Sequence, residues 1–277
     1  MPDTPASTIA FIGGGNMATA LIGGLVRAGR APASILVVDP GAPARQQLAA
    51  GFGVRVQPAA DTALAGATLV VWAVKPQLFT EAAGPCAAHV GGALHLSVMA
   101  GIRSDAIARA THQAPAEARI VRSMPNTPAL IGRGIAGLFA TPAVSAAQRA
   151  EVQAVLAPTG QTLWVAQEAD LDTVTALSGS GPAYVFYLLE ALVAAAVQAG
   201  LTAEQGKQLA LATFDGATAL ATQSDEPLAL LRERVTSKGG TTFAGLESLR
   251  ADGVADALGR AVRAAQRRAK ELGDEFG

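Results

Sequence analysis

Along the first half of the chain, apolar runs of strand length alternate with stretches of helical spacing. Ile9-Ala10-Phe11-Ile12, Ile35-Leu36-Val37-Val38 and the run Thr68 to Val74 are nearly unbroken in their hydrophobicity. Such runs suit strands buried on both faces. Val54 to Val56, Ala93 to Val98, Ile120 to Arg122, Gly134 to Ala140 and Thr162 to Val165 read as further strands. Between them, Met17, Leu21, Ile22 and Leu25 repeat on one helical side. Helices are also expected over about Pro43 to Ala50, from Pro76 to about His89 and over Ser145 to Leu156, with a helical turn or two at Asp61 to Ala65. Two prolines and Asn-Thr make Ser123 to Pro128 an ordered, non-helical connection. Strand and helix alternating at this spacing imply a parallel sheet with right-handed crossovers. Ligands of such sheets bind beyond the carboxyl ends of the strands. The ends to read are Gly13 to Met17, Asp39, Ala73 to Pro76 and Ser97 to Gly101.

The pattern changes near residue 164. From Glu168 onward no strand is expected. Glu168 to Leu177 is helical, Ser178 to Pro182 interrupts, and a helix follows from Pro182 or Ala183 to about Ala199, ended by Gly200. Thr202 caps the next helix, with Gln205 as its capping-box partner, and that helix runs to about Gln223. Pro227 to Val235, Phe243 to Ala251 and Val254 to Leu272 complete an all-α half. Ala183 to Val197 is apolar nearly all round, so it must be covered on every side. A second copy of the chain is the expected cover; burial within one chain is the alternative.

Composition narrows the class. Half of the 277 residues are hydrophobic, and the net charge is −1. No basic stripe supports a nucleic-acid surface. The single cysteine, Cys86, has no partner for an internal disulfide and reads as core rather than nucleophile. Three scattered histidines have no metal-ligand spacing, so no metal is expected. Met1 to Ser7 lacks a charged segment followed by an apolar one. Ala183 to Val197 is shorter than the ~20 residues that span a bilayer and carries Glu190. No membrane association is expected, and the location is expected to be cytoplasmic.

Two stretches carry chemistry. Gly13, Gly15 and Ala18 fit G-x-G-x-x-G/A between a strand and a helix. The first glycine permits a tight turn, the second lets a pyrophosphate approach the backbone, and the small third residue lets helix and strand pack closely. Asp39, at the end of the next strand, stands where a ribose-binding carboxylate would lie. A tight turn without a ligand is the bland alternative. In Thr236 to Thr242, the N–H groups of Gly239, Gly240, Thr241 and Thr242 would converge into an anion nest at a helix start. A plain helix–helix turn with a threonine cap is the alternative there. No Ser–His, His–Asp or metal constellation is readable. Reduction of a protonated imine needs none, since the carbon is already electrophilic and the hydride comes from a cofactor.

These residues match a family. The chain resembles pyrroline-5-carboxylate reductases through F-I-G-G-G-N-M-A (Phe11 to Ala18), A-V-K-P (Ala73 to Pro76), S-V-M-A-G (Ser97 to Gly101) and M-P-N-T-P (Met124 to Pro128). L-S-G-S-G-P-A-Y (Leu177 to Tyr184) and V-T-S-K-G-G-T-T (Val235 to Thr242) are the more specific matches, and the order holds over nearly the whole chain. The resemblance implies a Rossmann-type, mostly parallel α/β domain at 1–164 and an all-helical dimerisation and substrate domain at 165–277. It implies reduction of 1-pyrroline-5-carboxylate to L-proline with NADPH or NADH, in a homodimer built through the helical domain, with larger assemblies left open. Gly13, Gly14, Gly15, Asn16 and Met17 would hold the pyrophosphate, with Asp39 at the ribose. Ala73, Val74, Lys75 and Pro76 would line the adenosine and ribose side. Met99, Ala100 and Gly101, with Pro125 and Asn126, would border the nicotinamide. Gly239, Gly240 and Thr241 would cradle the substrate carboxylate, and Thr242, the catalytic candidate, would hydrogen-bond the ring nitrogen. Lys238 replaces a common proline; it either augments the nest or points to solvent. Asp39 departs from the family's frequent use of NADPH, and Arg45 is the nearest basic residue to compensate. Ser178 and Ser180 read equally as helix caps or substrate contacts. A related imine or 2-hydroxy-acid reductase and a non-catalytic NAD(P) sensor are the rival readings.

Overall fold

The apolar runs form strands because each has core on both sides. In the computed structural model, which describes residues 7–276, β1 (Thr8–Ile12) lies inside the sheet. Its alternate side chains serve opposite faces. Ile9 and Phe11 pack with Leu21, Ile22 and Leu25 of α1 (Asn16–Arg27). Ala10 and Ile12 pack in a second cluster with Ala83, Cys86 and Val90 of α3 (Phe79–Val90). Each fully buried Leu or Ile contributes about 1.5–3 kcal/mol, so these two layers hold the sheet between helices.

The remaining elements of this half are β2 (Ile35–Val38), α2 (Ala42–Phe52), β3 (Arg55–Gln57), β4 (Ala67–Trp72), β5 (Leu94–Ser97), α4 (Ser104–Ala110), β6 (Ile120–Met124), β7 (Gly134–Ala140), α5 (Ala146–Leu156) and β8 (Gly160–Trp164). The sheet order is β3-β2-β1-β4-β5-β6-β7-β8. Every pairing is parallel except β6 with β7. Those two strands are joined by a short 3₁₀ segment, Thr127–Ile131, where a parallel crossover needs about a dozen residues or more. The chain builds outward from β1 to β3 on one side, then crosses to β4 on the other. β1 and β4 therefore flank a topological switch point.

Three details differ from the sequence expectations. Helix α4 lies in a stretch where none was expected. Ser123 and Met124 extend β6, and the rest of the expected non-helical connection winds into the 3₁₀ segment. Ser178 to Pro182 does not interrupt the helix. α6 (Asp170–Val174) passes into a π-turn, Thr175–Gly179, and α7 (Gly181–Gln198) follows directly. The Ser180 N–H donates to the Thr175 carbonyl at 2.8 Å, the five-residue step of a π-turn. Thr175 and Ser178 hydroxyls donate to the carbonyls of Leu171 and Val174, so Ser178 is no cap. Asp170–Gln198 is consequently a 29-residue helical stretch, long and apolar enough by length and composition to cross a membrane.

By packing, residues 181–264 form one compact unit, and residues 7–180 with 265–276 form another. The first of these holds α7, α8 (Ala203–Thr222), α9 (Leu228–Arg234), α10 (Thr241–Ala251) and the start of α11 (Val254–Phe276). The capping box of Thr202 with Gln205 is present. Gly206 lets α8 approach α7 closely: a Cβ there would stand 2.9 Å from that of Ala196. No residue of α7 is buried, and Tyr187 is 72% and Phe186 60% exposed, so the chain alone does not cover this apolar helix.

The end of α11 belongs to the sheet's unit. A Cβ on Gly101 would lie 3.3 Å from the Leu272 carbonyl oxygen, Gln266 donates to the Thr173 hydroxyl at 2.8 Å, and Arg103 pairs with Asp274. Nearby, Glu168 accepts from the Ser104 N–H and hydroxyl at 2.7 Å each and from Arg122 at 2.9 Å.

Candidate functional site

A cleft of about 580 Å³ opens at the switch point. Gly13, Gly14, Gly15, Asp39, Ala73, Val74 and Lys75 all line it. The turn after β1 is forced by contact. Gly13 has φ +99°, and a Cβ there would stand 2.6 Å from the Ala73 carbonyl oxygen. Its N–H donates to the Val38 carbonyl at 2.8 Å, which ties β1 to the exit of β2. Gly15 is different. It is the N-cap of α1, has an extended backbone, caps with no side chain, and has nothing within 4 Å of a Cβ position. Open space in front of a helix N-terminus, with only hydrogens on the backbone, fits the phosphates of a dinucleotide. Asn16 and Met17 start α1; Asn16 is exposed and Met17 packs against the core.

Asp39 closes the other side. One carboxylate oxygen accepts from the Gly14 N–H and the other from the Gly41 N–H, both at 2.7 Å. The Arg45 guanidinium donates to the Asp39 carbonyl at 2.7 Å. Pro76 begins a 3₁₀ turn after the cleft-lining Lys75. Cys86 lies in the cleft floor, donates to the Ala82 carbonyl at 3.2 Å and has its thiol pushed up to about 11 by burial, so it is no nucleophile at neutral pH.

Met99, Ala100, Gly101, Pro125 and Asn126 do not line this cleft. Met99 and Pro125 are buried; Gly101, at φ +79°, turns the chain beside α11. Asn126 is structurally engaged. Its amide donates to the Ser178 carbonyl at 3.2 Å and accepts from the Ile135 N–H at 3.0 Å, fixing the π-turn and β7.

In the other unit, the Thr236–Thr242 loop ends in a helix N-terminus. Gly239 has φ +72°, Gly240 is an extended N-cap without a side-chain cap, and Thr241 and Thr242 form the first turn of α10. The helix thus starts two residues earlier than expected, and no threonine caps it. The Gly240 N–H donates to the Ser237 carbonyl at 3.0 Å, so it is not part of an open nest. Thr241, Thr242 and Lys238 are exposed, and no hydrogen bond within the described residues uses the Thr242 hydroxyl. Among the described residues, no cluster of His, Cys, Asp and Glu could hold a metal ion.

Comparison with known proteins bears on both halves. A family model described as pyrroline-5-carboxylate reductase dimerisation matches residues 168–272, and one described as NADP oxidoreductase, coenzyme F420-dependent, matches residues 8–101. The pyrroline-5-carboxylate reductase of Pseudomonas aeruginosa is 42% identical over 270 residues, 97% of this chain and 98% of that protein. This chain belongs to the pyrroline-5-carboxylate reductase family. A solved member from Coxiella burnetii superposes with a TM-score of 0.90 at 34% identity, over 96% of this chain and 98% of that one. A pyrroline carboxylate reductase from Plasmodium falciparum, solved with NADP bound, gives 0.84 at 27% identity, over 97% and 98%. The Rossmann-type sheet followed by a helical C-terminal half is the fold of this family.

For this reductase, sequence reasoning missed part of the cleft. Pro58, Ala59 and Ala60, beyond the end of β3, line it, as do Pro40, Gly41, Leu78 and Glu81. The signal was available: Val54 to Val56 reads as a strand, so its carboxyl end belongs with the other ligand-bearing edges.

Proposed function

We propose that this reductase converts 1-pyrroline-5-carboxylate to L-proline, the last step of proline biosynthesis, using NADPH or NADH. The full-length match to pyrroline-5-carboxylate reductases carries the reading, and the open cradle at Gly15 supports the cofactor half of it. The bound nicotinamide supplies the hydride. The chain's own residues bind and orient. The N-terminus of α1, with Gly13 to Met17, holds the pyrophosphate, Asp39 the ribose, and Ala73 to Pro76 the adenosine side. The backbone at Met99 to Gly101, with Pro125 and Asn126, borders the nicotinamide.

The first turn of α10 receives the substrate. N–H groups of Gly239 and Thr241 at a helix N-terminus favour the carboxylate, and Gly240 contributes its small size rather than its N–H. The Thr242 hydroxyl holds the ring nitrogen, which keeps the C=N carbon facing the hydride donor. Division of labour follows the chain: dinucleotide domain at 1–164, substrate and dimerisation domain at 165–277. A second copy covers α7, whose apolar residues stand exposed on a single chain, so the protein is a homodimer in which this helix is buried against its partner rather than in lipid, and its location, as a biosynthetic enzyme, is the cytoplasm.

The test is the loss of reduced-nicotinamide absorbance on adding 1-pyrroline-5-carboxylate, with Thr242→Ala beside the parent. The parent should turn over. Loss of the hydroxyl should lower kcat by about 10²-fold, as for other single donors at a reacting centre. Cofactor binding without oxidation by the parent would refute the reaction. Undiminished turnover by Thr242→Ala would refute the role of its hydroxyl.

A further inference from the structure

We infer that Asp39 makes this enzyme an NADH-preferring reductase, although the matched family model carries NADP in its description. The inference rests on the cleft being the dinucleotide site.

NADPH differs from NADH only by a phosphate on the adenosine ribose, which brings about −1.5 to −2 charges. A site for it needs cations or free donors near the exit of β2. Here that exit offers the opposite. The Asp39 carboxylate is fixed on both oxygens by backbone N–H groups at 2.7 Å. These two bonds, one from each side, hold the carboxylate at the exit of β2. Each oxygen keeps accepting capacity for a ribose hydroxyl, which a phosphate cannot use.

Few other donors face this exit. Pro40 has no N–H. The Gly41 N–H is already given to Asp39. Pro58, Ala59 and Ala60, facing from the end of β3, bring no side-chain donor. Arg45 donates to the Asp39 carbonyl at 2.7 Å and does not line the cleft. Lys75 does line it, but with Glu81 and Asp39 the cleft holds two carboxylates to one ammonium.

The experiment is calorimetric titration of the full-length protein with NADH and with NADPH, without substrate, repeated for Asp39→Ser, Asp39→Asn and Arg45→Ala, each checked for folding by circular dichroism. The parent should bind NADH about tenfold or more tightly. Asp39→Ser should tighten NADPH and weaken NADH, narrowing or reversing the ratio, and Asp39→Asn, which removes the charge but can accept from only one of the Gly14 and Gly41 N–H groups, should narrow it as well. Arg45→Ala should leave NADPH affinity within twofold of the parent. Equal or tighter NADPH binding by the parent overturns the inference and leaves the cleft assignment standing. An unchanged ratio in both folded Asp39 variants overturns the role of Asp39. A clear fall in NADPH affinity in Arg45→Ala overturns the argument that this arginine is committed elsewhere. Failure of the parent to bind either nucleotide overturns the cleft assignment itself.

Discussion

Alanine at Gly13 and at Gly15 should fail in two separable ways. At Gly13, φ is +99° and the new methyl would sit 2.6 Å from the Ala73 oxygen and 2.8 Å from its carbonyl carbon. Neither can retreat: the Ala73 N–H is bonded to the Ile12 carbonyl, and the Gly13 N–H to that of Val38, both at 2.8 Å. The disfavoured backbone costs about 1–2 kcal/mol and the overpacking about 1–3 kcal/mol more. Together, about 2–5 kcal/mol is a large part of the ~5–15 kcal/mol that holds a typical domain. At Gly15 the backbone is extended (φ −74°) and the methyl meets nothing within 4 Å. Reduced freedom of the unfolded chain roughly offsets the poorer N-cap, so stability should change by about 1 kcal/mol or less. That methyl would instead occupy the space left for a pyrophosphate, weakening the cofactor by about 10- to 100-fold. Urea unfolding followed by circular dichroism reads the first effect, and nucleotide titration the second. A folded Gly15→Ala protein that binds cofactor as the parent does would falsify the cradle. A Gly13→Ala protein unfolding at the parent's urea midpoint would refute the steric argument.

Other expectations concern the core and the surface. His95 is fully buried, accepts the Trp72 indole N–H at 3.0 Å, and is pushed down to about 4, first by desolvation and also by Arg119. Its folded value lies below the 6.5 of the unfolded chain, so its contribution is complete above pH 6.5 and is lost as pH falls toward 4. The loss is roughly 3 kcal/mol, and melts of the parent from pH 7 to 4 should fall more steeply than those of His95→Gln; parallel curves would refute it. Glu168→Ala should cost about 3 kcal/mol in urea unfolding, because Arg122 and both Ser104 donors lose their acceptor; a change under 1 kcal/mol would show that water replaces it. Phe186→Glu with Leu192→Glu should turn a dimer into monomers in light scattering, and a persisting dimer would mean that another face makes the contact.

What could be read from the sequence depended on how tightly residue identity was tied to backbone need. The triplet Gly13 to Gly15 was legible because a positive φ and a bare backbone leave few alternatives to glycine. The strands were legible because burial on both faces leaves unbroken apolar runs. α4 was not: Ser104–Ala110 spans barely two turns, too short for a helical repeat to separate from noise. Ser178-Gly179-Ser180-Gly181 looked like a break since these residues favour turns; hydroxyl bonds to carbonyls one turn back let the helix widen instead. The Pro58–Ala60 edge of the cleft was silent because its contribution is shape, made by small residues that carry no chemical mark. Asn126 was legible as important, but not as a brace between Ser178 and Ile135, since that needs the tertiary arrangement.

The return of α11 to the sheet's unit bears on how the protein is made. Residues 265–276 leave the ribosome after every strand of the sheet, yet they close against Gly101 and Arg103 in the sheet's own unit. At about 5–20 residues per second, that unit waits many seconds for its final piece. Until then the surface beside Gly101 stays uncovered on the nascent chain. Removing residues 265–276 would deprive the earlier-made sheet, not the helical unit made just before them, of its completed packing.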